Sequence, residues 1–231
     1  MRRIVLDTET TGLDYRTGDR VVEIGCIEML GRERTGRHFH AYLNPGREVG
    51  AGATAIHGLS NGFLSDKPRF AMIADEFIDF VQGAELVIHN APFDTGFLDN
   101  ELALAGGPGL DGLCPVVIDT LLMARNLRPG RRNNLDALCA EYGIDNSGRM
   151  LHGALRDAEL LADVWLAMTR GQETLGLDGN SGPTEVRSVR SGRRPLTVLR
   201  ATDAGLLEHE KVLAGIDRES KGRCVWMGKI N

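Results

Sequence analysis

The stretch from Arg2 to Gly12, RRIVLDTETTG, constrains this chain more than any other. An apolar run, Ile4-Val5-Leu6, leads into Asp7, then Glu9, then Thr10-Thr11-Gly12. In a strand, successive side chains alternate faces, so Asp7 and Glu9 point the same way. Like charges side by side on one face repel and destabilise a fold unless something compensates them. A divalent cation is the usual compensation, and Mg²⁺ or Mn²⁺ accepts such ligands. The plainer reading is a strand end running into a polar turn, with both carboxylates solvated. These residues alone do not choose between the two.

The hydrophobic pattern supplies the surrounding elements. After a polar turn at 14–20, Val21 to Leu30 alternates as a second strand, with Val22, Ile24 and Cys26 on one side. A turn at 31–36 leads to a third strand, His38 to Leu43. Three strands with short connections predict an antiparallel meander. Residues 44–68 read as loop, with a short helix near Ala53–Ile56. Phe70, Ile73, Phe77, Phe80 and Val81 recur at helical spacing, which predicts a helix over 69–82 ending at Gly83. Leu86-Val87-Ile88 and Val116-Val117-Ile118 are short apolar runs, expected as strands buried on both faces. Helices are expected over 94–105, 119–127, around Leu135–Tyr142 and, the longest, over 154–169. Strands that first meander and then alternate with helices predict an α/β domain, a mixed sheet with helices on its faces.

From Gly171 the character changes. Residues 176–195, rich in Gly, Ser and Pro, read as a flexible linker. Beyond it, Leu196–Leu199, Gly205–Leu207, Val212–Leu213 and Val225–Met227 are apolar islands in a basic tail. Such a tail is too small for its own core, and folding on a partner is expected. The formal net charge of −5 over 231 residues counts mildly against nucleic acid as a partner. The charge is uneven: residues 187–231 carry +5, and residues 1–186 carry −10. Bound metal would offset part of that acidic excess. Cys26, Cys114, Cys139 and Cys224 have no zinc spacing and read as lone thiols in a reducing compartment. The apolar run before Asp7 is only three residues long, which makes no signal peptide, and no apolar run approaches a membrane span. The expectation is a soluble cytoplasmic protein.

Further carboxylates stand where a site could form. Asp94 lies in HNAPFDTGFL just after an apolar strand, and ligands bind at strand ends in such sheets. Taken alone, it reads as a helix N-cap. Asp157 falls one turn before Leu161 and so faces inward with the apolar stripe, which is unusual for an unpaired carboxylate. His152 falls just before that helix or in its first turn, and taken alone it reads as a surface residue. Asp7, Glu9, Asp94 and Asp157 plus one histidine form a hard-oxygen donor set. Without cysteine or clustered histidine, it suits Mg²⁺ or Mn²⁺ over Zn²⁺.

Asp7-x-Glu9 in DTETTG, Asp94 in HNAPFD, and His152 with Asp157 in HGALRDAELLADVW occur in register. This set resembles the DEDDh 3′→5′ exonucleases and, among them, the proofreading subunits of bacterial replicative DNA polymerase. The resemblance covers about residues 3–170. It implies an RNase H-like fold with a five-stranded mixed sheet. It also implies two-metal hydrolysis of a terminal phosphodiester, with Asp7, Glu9, Asp94 and Asp157 as ligands and His152 as general base. Thr10, His57 in Ile56-His57-Gly58-Leu59, Phe93 and Leu13 would meet the terminal nucleotide, beside Asp7, Glu9 and Asp157. One departure stands out: where some relatives carry a glutamate that contacts this nucleotide, the chain has Gly52.

Gln172-Glu173-Thr174-Leu175-Gly176-Leu177 resembles the clamp-binding peptides of bacterial replication proteins, with Gln172, Leu175 and Leu177 as anchors. The implied organisation is an exonuclease domain at 1–171, a linker at 172–195 with the clamp peptide at 172–177, and a polymerase-binding tail at 196–231. The implied partners are DNA 3′ ends, the polymerase catalytic subunit and the sliding clamp; a small accessory subunit stays open. The alternatives are a DNA-repair or RNA-trimming exonuclease of the same group, or a mainly bridging subunit between polymerase and clamp.

Overall fold

In the computed structural model, which describes residues 1–148, 151–170, 202–222 and 226, the Ile4-Val5-Leu6 run separates two cores. Ile4 and Leu6 join a cluster with Phe77, Phe97 and Leu102, whereas Val5 joins one with Leu138, Leu161 and Trp165. All three strand residues are fully buried. Burial of one such side chain contributes about 1.5–3 kcal/mol, so a strand apolar on both faces is driven to the middle of a sheet.

That strand is β1 (Arg2–Thr10), followed by β2 (Val21–Leu30), β3 (Glu33–Tyr42), β4 (Glu85–Ile88) and β5 (Val116–Asp119). They form one five-stranded mixed sheet in the order β3-β2-β1-β4-β5. β1 pairs antiparallel with β2 and parallel with β4, β2 pairs antiparallel with β3, and β4 pairs parallel with β5. The meander followed by parallel crossovers is the topology expected from the sequence.

The helices are α1 (Ala51–His57), α2 (Asn61–Leu64), α3 (Phe70–Val81), α4 (Ala91–Leu104), α5 (Leu110–Leu113), α6 (Thr120–Leu127), α7 (Leu135–Tyr142), α8 (Ala154–Met168) and α9 (Asp203–Glu219). α3, α4 and α5 pack on the Ile4/Leu6 face, and α6, α7 and α8 on the Val5 face. Cys26, Cys114 and Cys139 are buried and in no disulfide among the described residues. Among the described residues no helix is long and apolar enough to cross a membrane.

Four elements differ from the sequence expectation. β3 begins at Glu33 instead of His38, because Arg34 and Glu33 pair with Met29 and Leu30 across a tight turn at Gly31. Its first half is exposed and charged, so it carries no apolar alternation. β5 is not buried on both faces. It is the sheet edge, and Val116 and Val117 are about two-fifths exposed. α4 begins at Ala91, so Asp94 lies in its first turn and Asn90 is the N-cap. In the tail, the islands at 205–207 and 212–213 belong to one helix, α9, in which no residue is buried. Thr202 caps it, its hydroxyl oxygen accepting the Gly205 N–H at 3.2 Å. The linker, the clamp-like peptide with Gln172, Leu175 and Leu177, Cys224 and the island at 196–199 lie outside the described residues. The chain divides into two compact units, Met1–Leu177 and Asp178–Asn231.

Candidate active site

The site is built on the C-terminal end of β1. By the strand's two-residue period, Asp7 and Glu9 share the face of Val5, the face covered by α8. Asp7 pairs with Gly25 of β2. A Cβ at Gly25 would stand 2.2 Å from the backbone nitrogen of Leu155. Only glycine therefore lets the first turn of α8 rest directly on the sheet beside Asp7. That close approach carries Asp157, in the same turn, to the two carboxylates.

Asp94 arrives from the other side. Its Oδ1 accepts the Thr8 backbone N–H at 3.0 Å and the Thr8 hydroxyl at 2.7 Å. The carboxyl is 3% exposed. Burial pushes its pKa up to about 7, against the opposing hydrogen bonds from Thr8, and the Asp119 charge adds to the rise. Desolvation thus dominates the state of this carboxyl, and the Thr8 hydrogen bonds only partly offset it.

Glu9, His152 and Asp157 bring one ligand atom each to within 4.8 Å of one another. His152 Nδ1 lies 3.3 Å from Asp157 Oδ2 and is nearly half exposed, as a base that meets water must be. The segment before α8 is pinned by the His152 N–H, which donates to the Ile56 carbonyl at 3.1 Å. Asp7, Glu9, Asp94, His152 and Asp157 line a single cavity of about 250 Å³. The sequence-predicted ligand set and base thus stand together. Four carboxylates with no cysteine fit a hard divalent cation.

A second cavity, about 460 Å³, shares Thr8, Glu9 and Phe93 with the first. Thr10, Leu13, Gly52, Ile56 and His57 also line it. His57 is buried, and its Nδ1 accepts the Leu59 N–H at 3.0 Å. Burial holds its pKa below the ordinary histidine value, so the ring is neutral and Nε2 carries the proton. That Nε2 is buried, and a hydrogen bond with the Thr10 backbone works against the shift. The Thr10 hydroxyl donates to the Gly12 carbonyl at 2.6 Å, which fixes the turn that forms the wall. A Cβ at Gly52 would meet nothing within 4 Å, so the cavity is simply open at that position.

Comparison with known proteins identifies the family and the fold. A family model described as "Exonuclease" matches residues 4–165. The DNA polymerase III epsilon subunit of Escherichia coli K12 is 46% identical over 237 residues, covering 97% of each chain. That of Rickettsia prowazekii is 53% identical over 175 residues, covering 75% of this chain and 76% of its own. The chain belongs to the DNA polymerase III epsilon family of exonucleases. Two solved structures share the fold. One is exonuclease X with 5′-overhanging duplex DNA, at 24% identity and TM-score 0.57, covering 74% of this chain and 92% of its own. The other is Escherichia coli exonuclease I with a dA16 oligonucleotide, at 19% identity and TM-score 0.65, covering 74% and 41%.

Several residues of this exonuclease's site escape a sequence reading. Thr8 sits between the two acidic positions but faces away from them, toward Asp94. Gly25 matters only through α8, 130 residues away along the chain. His89, just past β4, and Asn134, the N-cap of α7, line the carboxylate cavity. Only Asn134 had a local signal: its side chain caps α7, accepting the Ala137 N–H at 3.1 Å.

Proposed function

We propose that this chain is the proofreading 3′→5′ exonuclease of a bacterial replicative DNA polymerase, removing nucleoside 5′-monophosphates from DNA 3′ ends. The observation that carries the reading is the meeting of Asp7, Glu9, Asp94, His152 and Asp157 around one cavity that opens into a second of nucleoside size. The relatives' name, DNA polymerase III subunit epsilon, supplies the polymerase context.

Asp7, Glu9, Asp94 and Asp157 would hold two divalent cations, Mg²⁺ or Mn²⁺. Bound there, such ions supply an activated water and neutralise charge on the phosphoryl and leaving oxygens. The protein does the remaining work. His152, with Nδ1–H turned to Asp157, presents Nε2 to take the water proton. The terminal nucleoside occupies the second cavity between Leu13, Phe93 and His57. At position 52 no side chain reaches it, so backbone of the Gly50–Ala53 segment forms that contact. Entry requires an unstacked end, so a mismatched 3′ terminus reaches the site at lower cost than a paired one.

Residues 172–177 would bind the sliding clamp and 196–231 the polymerase catalytic subunit, with 1–171 as the exonuclease domain. A 3′-mismatched DNA primer with Mg²⁺, with and without EDTA, tests the reading. Wild type releases mononucleotides only with Mg²⁺, Asp7→Ala releases none while remaining folded, and His152→Ala loses most of the rate. Equal turnover by Asp7→Ala removes the assignment. Faster turnover on RNA 3′ ends moves it to RNA trimming.

A further inference from the structure

We propose that a third cavity, beside the carboxylates and between α6 and α7, binds the phosphodiester backbone of the DNA strand upstream of the scissile bond. The proposal rests on the exonuclease reading above and adds the path and polarity of the strand. This cavity measures about 540 Å³ and is lined by His89, Leu121, Arg125, Arg131, Asn133 and Asn134.

Continuity is the first argument. The nucleoside cavity shares Thr8, Glu9 and Phe93 with the carboxylate cavity, which shares His89 and Asn134 with the third. The three lie in a row with the carboxylates in the middle. A strand with its 3′-terminal nucleoside in the first and its last phosphodiester over the second therefore continues, 3′ to 5′, into the third.

Charge is the second. Among the described residues, neither of the first two cavities is lined by a lysine or arginine, but the third is lined by Arg125 and Arg131. Arg131 pairs at 3.2 Å with Glu141, which also holds Arg128 at 2.9 Å. A surface pair of this kind holds Arg131, in the turn between α6 and α7, only weakly and leaves it able to meet a phosphate. Arg125 stands exposed on α6 with no ion pair among the described residues.

The state of the polar groups is the third. Asn134 Oδ1 accepts the Ala137 N–H, so among the described residues its amide NH₂ is left to donate on the wall common to both cavities. The side chain of Asn133 is buried, and its Nδ2 donates to the Arg131 carbonyl at 3.0 Å, so the basic turn is braced from beneath. The Thr120 hydroxyl donates to the Ile88 carbonyl at 3.1 Å, so it accepts from His89 Nδ1–H at 3.0 Å. Cations for phosphates thus come from Arg125 and Arg131, and the amide of Asn134 donates to the phosphate nearest the carboxylates.

The test uses the full chain with Mg²⁺ and two substrates. One is single-stranded oligothymidylate; the other is thymidine 5′-(p-nitrophenyl phosphate), which has the terminal nucleoside and phosphate but no upstream strand. For Arg125→Ala/Arg131→Ala, KM on the oligonucleotide is expected to rise about tenfold or more with kcat little changed. The slope of log KM against log salt should fall by on the order of 0.7 for each phosphate the variant no longer neutralises. Hydrolysis of the p-nitrophenyl ester should stay at the wild-type rate, and Arg125→Lys/Arg131→Lys should recover most of the oligonucleotide KM. An unchanged oligonucleotide KM, or equal losses on both substrates, overturns the strand path. Wild type that hydrolyses neither substrate overturns the exonuclease reading and the path with it.

Discussion

Thr8 donates twice to one oxygen: its backbone N–H and its hydroxyl both reach Oδ1 of Asp94, at 3.0 and 2.7 Å, across 86 residues of chain. These bonds tie the first turn of α4 to the central strand between the two carboxylates of β1. Thr8→Val keeps the shape and removes the hydroxyl, leaving a buried carboxyl with one donor fewer. We expect a loss of about 1–3 kcal/mol in a urea unfolding experiment on metal-free protein. Thr8→Ser should restore most of it; a valine variant as stable as wild type would show that the bond contributes nothing.

Gly25 sets how closely α8 approaches the sheet. A methyl group there meets backbone of Leu155 and Ala154 at 2.2–2.3 Å, and backbone cannot rotate aside as a long side chain can. Gly25→Ala is expected to cost about 1–3 kcal/mol, the usual range for overpacking. It should also lower nuclease activity per folded molecule, because Asp157 and His152 move with α8. Melting temperature and activity measured on the same preparation check this, and full activity in a destabilised variant would separate the helix seat from the chemistry.

Glu28 joins three strands. It takes Arg2 of β1 at 2.7 Å, and Arg37 and Thr35 of β3 at 3.0 and 2.8 Å. Burial alone would raise its pKa. The hydrogen bonds from Arg2 and Thr35 and the charges of Arg2 and Arg37 outweigh it and hold the carboxyl below its ordinary 4.5. A carboxyl lowered in the folded state stabilises fully above its unfolded value, and this is lost as pH falls through the folded value. Glu28→Gln should therefore reduce stability near pH 7 and flatten its decline below about pH 4.5. Acid titration followed by circular dichroism reads both; an unchanged acid limb would mean the pair is not what acid breaks.

α9 presents Leu206, Leu207, Val212 and Ile216 to solvent with nothing buried. A chain lacking 190–231 is expected to hydrolyse DNA 3′ ends at the wild-type rate but fail to co-purify with the polymerase catalytic subunit. Retained co-purification would place that contact elsewhere.

Much of the architecture is legible in the sequence because it rests on local pattern. The apolar runs of β1 and β4 and the stripes of α3 and α8 are periodic, and periodicity survives in any tertiary context. β3 and β5 depart from expectation for the converse reason. The first half of β3 is charged and exposed, and it is a strand only because β2 offers it hydrogen bonds. β5 is apolar, but edge or centre is a matter of which strands lie beside it, and Val116 itself does not record that.

For the site, the sequence alone determined which chemistry was available: the carboxylates Asp7, Glu9, Asp94 and Asp157, and the imidazole of His152. It also set the common face of Asp7 and Glu9, through the two-residue period of a strand. Only the tertiary structure decided that these groups share a cavity, because that depends on packing no single segment encodes. Gly25 opposite Asp7 admits α8, Thr8 holds Asp94, and the Ile56 carbonyl holds His152. Asp7 and Glu9 are a pair by covalent spacing. They become part of a site when α4 and α8 close on the strand and bring Asp94, His152 and Asp157 to them.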